Sequence, residues 1–261
     1  TVSFLWGQDV EGDTKETMPV WNGAEVYRVS YVKDVDGTGT VTQMYLNDLE
    51  TKTIGGNTYR VIRNVYDWVM FSDMVNTNSG SNYPNRNWNA IVEPAGTTLD
   101  FSVLGTLAYH NGSWQDVLTI GASSNASGYY NGIFNGNGCK ITGLNYSGSG
   151  SYALFGYTGT NAYISNITIE NANVTTTGTS TYAVFVKENR GTVENCHVVN
   201  STVSAPSGWA GGFAYNNYGG TIKNCSFSGS VTSGNNAGGI AASATSCAQF
   251  IQCRNDGDII G

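Results

Sequence analysis

The second half of the chain repeats every 28 or 29 residues, and this period limits the folds that the sequence can adopt. Four short apolar segments align along it, at positions 164–169, 193–198, 222–227 and 250–255. An amide side chain recurs at one place in each segment, with spacings of 29, 29 and 28 residues: Asn166, Asn195, Asn224 and Gln252. A period of this length is typical of proteins built from stacked structural repeats.

Each repeat contains short alternating apolar runs broken by Gly, Asn and Ser, without the periodic pattern of a helix. A shorter, earlier copy of the aligned segment runs from Ile141 to Leu144. Two or three short strands per period suit one rung of a parallel β-helix, in which equivalent residues stack about 4.8 Å apart. We therefore predict an all-β fold, a right-handed parallel β-helix, with clear repeats over residues 134–261.

The residue after the recurring amide indicates how the rungs stack. It is Cys196, Cys225 and Cys253 in three repeats and Ile167 in the first. We predict a ladder of amide side chains beside an internal stack of free thiols, since cysteine is commonly buried as a small hydrophobe. A disulfide between adjacent rungs is the alternative, because the spacing of the rungs would permit one. The five cysteines form no Cys-x-x-Cys pair, so we expect no zinc site.

One segment, Asp67–Val75, has the pattern of an amphipathic helix. Asp67 is predicted as its N-cap. The apolar residues fall on one face at spacings of three and four: Trp68, Phe71, Met74 and Val75. A β-helix exposes its interior and its strand edges at an open end. We expect the helix to cover that end, with the first strands following at 97–104 and 117–120.

Residues 1–63 are predicted to form a small β-rich element that precedes the helix-capped β-helix at 64–261. Two stretches alternate between apolar and polar residues, at 25–32 and 40–46, and Asp36-Gly37 between them is a strong hairpin signal. Asp34 and Asp36 could suggest a calcium loop, but the third ligand, the central glycine and the terminal glutamate of an EF-hand are missing. We interpret this segment as a turn.

The distribution of charge excludes several partners. The chain has a net charge of −7, and 14 of its 19 acidic residues lie in positions 1–122. Nucleic acid is not an expected partner, because binding phosphates requires clustered Lys and Arg. No stretch approaches the ~20 apolar residues of a membrane span, so we expect no membrane insertion. The sequence contains no signal peptide, and export from the cell is therefore an inference.

One run of residues resembles a known family of repeats. Positions 134–144 read Phe-Asn-Gly-Asn-Gly-Cys-Lys-Ile-Thr-Gly-Leu, and 153–156 read Ala-Leu-Phe-Gly. Together they look like the start of the GLUG repeat region of bacterial surface proteins, and the resemblance covers residues 64–261 with degenerate later copies. Such repeats occur in adhesins, in large cell-wall proteins and beside the catalytic part of immunoglobulin A proteases. The resemblance implies a surface-exposed β-helix; the His-Glu-x-x-His zinc motif expected of such a protease is absent from the sequence.

The repeat region offers little for acid–base catalysis. Its carboxylates lie at different phases of the repeat: Glu170, Glu188, Glu194, Asp256 and Asp258. With Glu188 in a predicted turn, they form no row of the kind that polysaccharide-cleaving enzymes place on one face. His110 and His197 have no serine motif beside them, and His197 is predicted at the surface. We expect no catalytic residue, cofactor or metal; a polysaccharide-active lyase or glycosidase is the alternative.

The turns of the repeat region carry aromatic side chains flanked by Asn, Ser and Thr, which suits recognition of sugars or proteins. They are Tyr152, Tyr157, Tyr163, Tyr182, Trp209, Tyr215 and Tyr218. Trp209, Tyr215 and Tyr218 form the best cluster, with Tyr182 as a further candidate; each could instead cover the rung below. We predict a non-catalytic, monomeric, adhesin-like protein, at the cell surface or secreted, that binds a host or bacterial glycan or protein or acts as a stiff spacer.

Overall fold

A computed structural model describes residues 30–32, 42–44, 49–77, 82–104 and 118–261. The chain divides into two units, Thr1–Glu50 and Thr51–Gly261. In the first unit, strand β1 (Ser30–Val32) pairs antiparallel with strand β2 (Thr42–Met44), as the two alternating stretches predict. The turn predicted at Asp34 and Asp36 lies outside the described residues.

The second unit begins earlier than the boundary predicted between residues 63 and 64. Strand β3 (Thr51–Ile54) forms an antiparallel hairpin with β4 (Asn57–Ile62), and β4 then pairs in parallel with β5 (Asn89–Val92). The alternating sequence of a hairpin does not show which sheet the hairpin belongs to. Only the parallel pairing of β4 with β5, seen in the structure, assigns it to the long coil. The hairpin therefore belongs to the β-helix.

Fourteen strands of the second unit form one sheet, which we call the long sheet, and two smaller sheets complete the turns of the coil. Besides β3, β4 and β5, the long sheet contains β6 (Thr98–Asp100), β7 (Ile133–Thr142), β8 (Asn145–Gly148), β10 (Tyr163–Glu170), β11 (Asn173–Thr176), β14 (Thr192–Ala205), β17 (Thr221–Lys223), β18 (Ser226–Ser233), β21 (Gln249–Ile251), β22 (Arg254–Asn255) and β23 (Asp258–Ile260). The second sheet contains β9 (Phe155–Tyr157), β13 (Val186–Asn189), β16 (Ala214–Tyr218) and β20 (Ala241–Thr245). The third sheet contains β12 (Thr181–Ala183), β15 (Trp209–Gly211) and β19 (Ala237–Gly238).

The order of the strands confirms the predicted parallel β-helix. Neighbours in the long sheet follow the chain from one turn to the next, as β4, β5, β7, β10, β14, β17 and β21. These strands pair in parallel, and the coil has about seven turns. Ile141 pairs in register with Ile169, so the short early copy of the repeat is a true rung.

The recurring amide residues lie at a bend in the long sheet. Their backbones adopt a positive φ of 50° to 60°: Asn137, Asn166, Asn195, Asn224 and Gln252. Asn visits this left-handed conformation more readily than most residues, which gives a backbone reason for the repeat. The predicted ladder is present in part: Asn195 Nδ2 donates to Asn166 Oδ1 at 2.7 Å, and Asn166 Nδ2 donates to Asn135 Oδ1 at 3.0 Å. Among the described side chains it does not continue to Asn224 or Gln252. The left-handed bend that all these residues share therefore explains why this position repeats.

The cysteine column is a stack of free thiols, which is internal as predicted at Cys196 and Cys225 but only half-buried at Cys253. Ile167 pairs in register with Cys139 on one side and Cys196 on the other, and the Cys196 thiol contacts that of Cys225. Cys139, Cys196 and Cys225 are fully buried, and all five cysteines are free. Burial raises the pKa of the Cys139 thiol to about 12 and also raises the pKa of Cys196, so these thiols stay protonated and serve the core.

Helix α1 spans Val65–Asn76 and begins earlier than predicted. Its N-cap is Asn64, whose Oδ1 accepts a hydrogen bond of 2.9 Å from the backbone N–H of Asp67. Asp67, predicted as the cap, is the third helical residue, and its carboxylate accepts from the backbone N–H of Arg63 at 2.8 Å. Both residue types favour a helix start, so the sequence did not distinguish between them.

The helix covers one end of the β-helix core, as expected. The Trp68 ring lies 5.0 Å from that of Phe134 and 5.9 Å from that of Phe155, centroid to centroid. Trp68 and Phe71 are fully buried, whereas Met74 on the predicted apolar face is only half-buried. The strand predicted at 97–104 ends at Asp100, and Phe101–Leu104 is a short 3₁₀ helix. In the part of the chain that the structure describes, no helix is long and apolar enough to cross a membrane.

Candidate functional site

Tyr182, one of the predicted ligand-binding residues, lies inside the coil. Its side chain is fully buried, and its hydroxyl donates to the carbonyl oxygen of Ser149 at 2.9 Å. Its ring lies 6.3 Å from that of Tyr146, which stacks in turn on Tyr152 at 4.7 Å. This corrects the prediction for Tyr182: the residue points inward from β12 and presents no face to a ligand in this structure.

The other three predicted residues lie in two different sheets. Half-buried Trp209 begins β15 of the third sheet, whereas Tyr215 and Tyr218 are both in β16 of the second sheet. Between them the chain turns at Gly212, which packs against the ring of Phe227, where an added Cβ would lie 2.5 Å from ring atoms. The structure therefore places Tyr215 and Tyr218 in one strand and Trp209 in another sheet.

Tyr218 belongs to a stack of aromatic and charged side chains on the outside of the second sheet. The Arg190 guanidinium carbon lies 3.9 Å from the centroid of the Tyr218 ring and 5.2 Å from that of Tyr129. Tyr129 stacks on Tyr157 with ring centroids 5.5 Å apart and planes within 8° of parallel. We call this surface the tyrosine–arginine face, and its members are Tyr129, Tyr157, Glu188, Arg190, Tyr215 and Tyr218.

The register of the second sheet builds this face from successive turns of the coil. Asn189 pairs with Asn217, so Arg190 and Tyr218, which follow them, lie side by side on adjacent rungs. Asn189 and Asn217 are fully buried, and Asn189 Nδ2 donates to Asn217 Oδ1 at 2.9 Å. Thr158 extends this buried ladder by donating to Asn189 Oδ1 at 3.0 Å. The ladder fixes the backbone directly beneath the outer side chains.

Glu188 orients the arginine. Arg190 donates to one oxygen, Glu188 Oε1, from Nε at 3.1 Å and from Nη2 at 2.7 Å. This pairing holds the flat guanidinium group against the Tyr218 ring, where cation–π attraction adds to the contact. Beside them, burial and the Glu188 charge raise the pKa of Tyr215, which therefore remains a neutral hydroxyl donor.

Sequence reasoning missed Tyr129, Glu188 and Arg190 as members of the site. Glu188 was predicted in a turn, but it lies in strand β13 with Arg190 directly after it. A signal was available: aligning Asn189 with Asn217 as equivalent inward residues places Arg190 beside Tyr218. Tyr129 precedes the clear repeats, but it lies 28 residues before Tyr157, and the pairing of Tyr130 with Thr158 places it one turn earlier in the coil.

Three of the other four carboxylates of the repeat region, all but Asp258, have basic partners on the outside of the long sheet. Lys140 pairs with Glu170 at 2.9 Å, Lys223 with Glu194 at 2.6 Å and Arg254 with Asp256 at 2.7 Å. Hydrogen bonds from Lys223 and Tyr163 lower the pKa of Glu194, the opposite of what a general acid requires. Across the described residues, no three His, Cys, Asp or Glu side chains form a group that could hold a metal.

His197 is half-buried on the long sheet, where its Nδ1 lies 2.8 Å from Ser226 Oγ, and burial lowers its pKa. The predicted surface position of His197 thus holds in part, while His110 lies outside the described residues.

Comparison of the chain with protein-family models, with curated proteins and with solved structures finds no significant match.

Proposed function

We propose that this chain is a non-catalytic binding module of a cell-surface or secreted protein, with an adhesin-like role, and that its tyrosine–arginine face binds glycan. The observation that carries the proposal is the partly exposed Tyr218 ring, backed by Arg190, which Glu188 holds in place. Sugar rings pack their C–H faces on aromatic rings and hydrogen-bond their hydroxyls to planar charged groups, and this face supplies both kinds of group.

The rigidity of the face also supports binding. Arg190 is already held by Glu188 and by Tyr218, so little side-chain entropy remains to be lost when a ligand binds. The backbone beneath it is fixed by the buried ladder of Thr158, Asn189 and Asn217. A site whose groups are ordered beforehand binds more tightly than a mobile site with the same contacts.

The charges of the repeat region favour binding over chemistry. Glu170, Glu188 and Glu194 each form an ion pair with a basic side chain, and hydrogen bonds from Lys223 and Tyr163 lower the pKa of Glu194. A glycosidase would require one carboxylic acid with a raised pKa beside a second carboxylate. The described carboxylates of the repeat region are thus better suited to orienting side chains than to proton transfer.

The test is binding of the purified chain to an array of host and bacterial glycans, with Tyr218→Ala alongside. We expect Tyr218→Ala to weaken binding to a selected glycan about tenfold, which corresponds to ~1.4 kcal/mol. The matched control is Tyr163→Ala, because Tyr163 is 37% exposed against 38% for Tyr218 but lies on the long sheet. Titration calorimetry of the three proteins with one array-selected glycan gives the numbers.

We expect binding by the Tyr163→Ala variant to match that of the unmodified chain. Equal losses in both variants would place the ligand elsewhere on the coil. If no glycan on the array binds, glycan binding is contradicted, and a protein ligand or a spacer role is favoured.

A further inference from the structure

Lys187 differs from the other basic residues of the repeat region. Residues 123–261 contain five bases and five acids, and the structure pairs four of the bases with carboxylates. Those bases are Lys140, Arg190, Lys223 and Arg254. The Lys187 ammonium has no carboxylate within ion-pair distance among the described residues and instead lies 4.7 Å from the centroid of the Tyr157 ring.

A small depression lies beside this ammonium group. Its volume is about 110 Å³, and its lining includes Ser151, Gly156, Tyr157 and Lys187. Gly156 lies opposite Gly121, where an added Cβ would come within 2.4 Å of the Gly121 carbonyl oxygen. Only glycine fits at this close backbone contact, so no side chain covers this part of the sheet. The Lys187 side chain lies at the border of the resulting depression. The depression is below the ~300 Å³ of a typical ligand pocket, so it can receive one group of a larger ligand.

The chemistry of the depression suits an anionic group, and its small size suits a compact one such as a carboxylate. Lys187 supplies one compact positive charge on a flexible stem, without the bidentate fork that arginine offers to phosphate or sulfate. A single ammonium matches the single charge of a carboxylate, and the nearby Tyr157 ring limits competition from water. Because Tyr157 also belongs to the tyrosine–arginine face, a glycan bound there can reach the depression with a neighbouring sugar.

We infer that Lys187 and this depression form an acidic subsite, which binds the carboxylate of a uronic or sialic acid residue in the glycan. This inference rests on the proposed function and adds the class of sugar that the face selects. The glycan would stack one ring on Tyr218 and would place its carboxylate against the Lys187 ammonium. The acidic sugar would thereby pair with Lys187, the one base of residues 123–261 that has no carboxylate partner among the described residues.

The experiment compares ligands that differ only in the acidic group. One pair is an oligogalacturonate and its methyl ester, and the other is sialyllactose and its methyl ester. We expect the acidic member of at least one pair to bind about tenfold more tightly, because a hydrogen bond to a charged group contributes more than one between neutral groups. The pair that shows the preference identifies whether the carboxylate belongs to a uronic or a sialic acid.

Lys187→Met should abolish this preference, because methionine keeps the apolar stem and removes the charge. Lys187→Arg should retain most of it. The matched control is Lys140→Met, which removes a lysine that is already paired with Glu170 on the long sheet and should leave the preference intact.

Two failures are distinguishable. If a neutral glycan binds and depends on Tyr218, but neither acidic ligand is preferred, the acidic subsite is wrong and the proposed function stands. If no acidic or neutral glycan binds at all, the proposed function fails and the subsite fails with it.

Discussion

Trp68→Ala should destabilise the protein by about 4 kcal/mol, within the range for removing a buried aromatic side chain. Trp68 is fully buried, and its ring contacts those of Phe101, Phe134 and Phe155. Its indole N–H also donates to the carbonyl oxygen of Leu118 at 2.9 Å, and this acceptor would lose its partner. Urea denaturation followed by circular dichroism measures the change in the free energy of unfolding.

Trp209→Ala is the matched control, since it removes the same side chain from a half-buried position in the third sheet. We expect it to cost about 1 kcal/mol. If the two variants unfold at the same urea concentration, helix α1 is not a cap on which the β-helix depends. If Trp68→Ala does not fold, Trp68→Phe replaces it and should still unfold at a lower urea concentration than the control, because it also removes the indole N–H that bonds the Leu118 carbonyl oxygen.

Asn189→Leu should also cost about 3–4 kcal/mol, although leucine fills a similar volume. Asn189 is fully buried, and its Nδ2 donates to Asn217 Oδ1 at 2.9 Å and to the Gly191 carbonyl oxygen at 3.2 Å. Its Oδ1 accepts from the Thr158 hydroxyl at 3.0 Å. Leucine would leave these partners buried and unpaired, at a cost of about 1–3 kcal/mol for each group that finds no replacement. Thermal and urea unfolding give the value.

Asn173→Leu is the control for this substitution, because Asn173 is an exposed residue of strand β11 with an ordinary negative φ. We expect its effect on the free energy of unfolding to stay within about 0.5 kcal/mol. A neutral Asn189→Leu variant would mean that the buried amide ladder contributes no stability. It would also remove the reason to regard the tyrosine–arginine face as fixed from beneath.

The fold could be predicted because the residues that repeat in the sequence are those that form the core. Cys196, Val203 and their equivalents on other turns face inward, so the spacing of these residues in the sequence equals the length of one turn. The recurring asparagines were predicted as a ladder, but their left-handed backbone was not, since a bend leaves no signal beyond the residue type itself. The start of helix α1 was misplaced for a similar reason, because Asn64 and Asp67 are both good capping residues.

The candidate site was harder to predict because its residue types do not repeat from turn to turn. Its residues come from four turns and from different offsets within them: Arg190 and Tyr218 follow inward asparagines, whereas Tyr129 precedes a buried tyrosine. Tyr182 was wrongly predicted to be exposed because it lies near a turn in the sequence. It belongs to strand β12, and its side chain points into the core. An aromatic residue in a coil faces in or out according to register, and composition cannot determine register.

Glycan binding at the tyrosine–arginine face is tested most directly by mapping the bound glycan with NMR. The chain of 27.8 kDa is labelled with ¹⁵N and titrated with the glycan that the array selects. A glycan bound on the tyrosine–arginine face should cause its largest shift changes at backbone amides 186–190 and 214–218 of the second sheet. If the largest shift changes occur instead at 163–170 or 192–199 of the long sheet, with the second sheet unaffected, binding at the tyrosine–arginine face is contradicted.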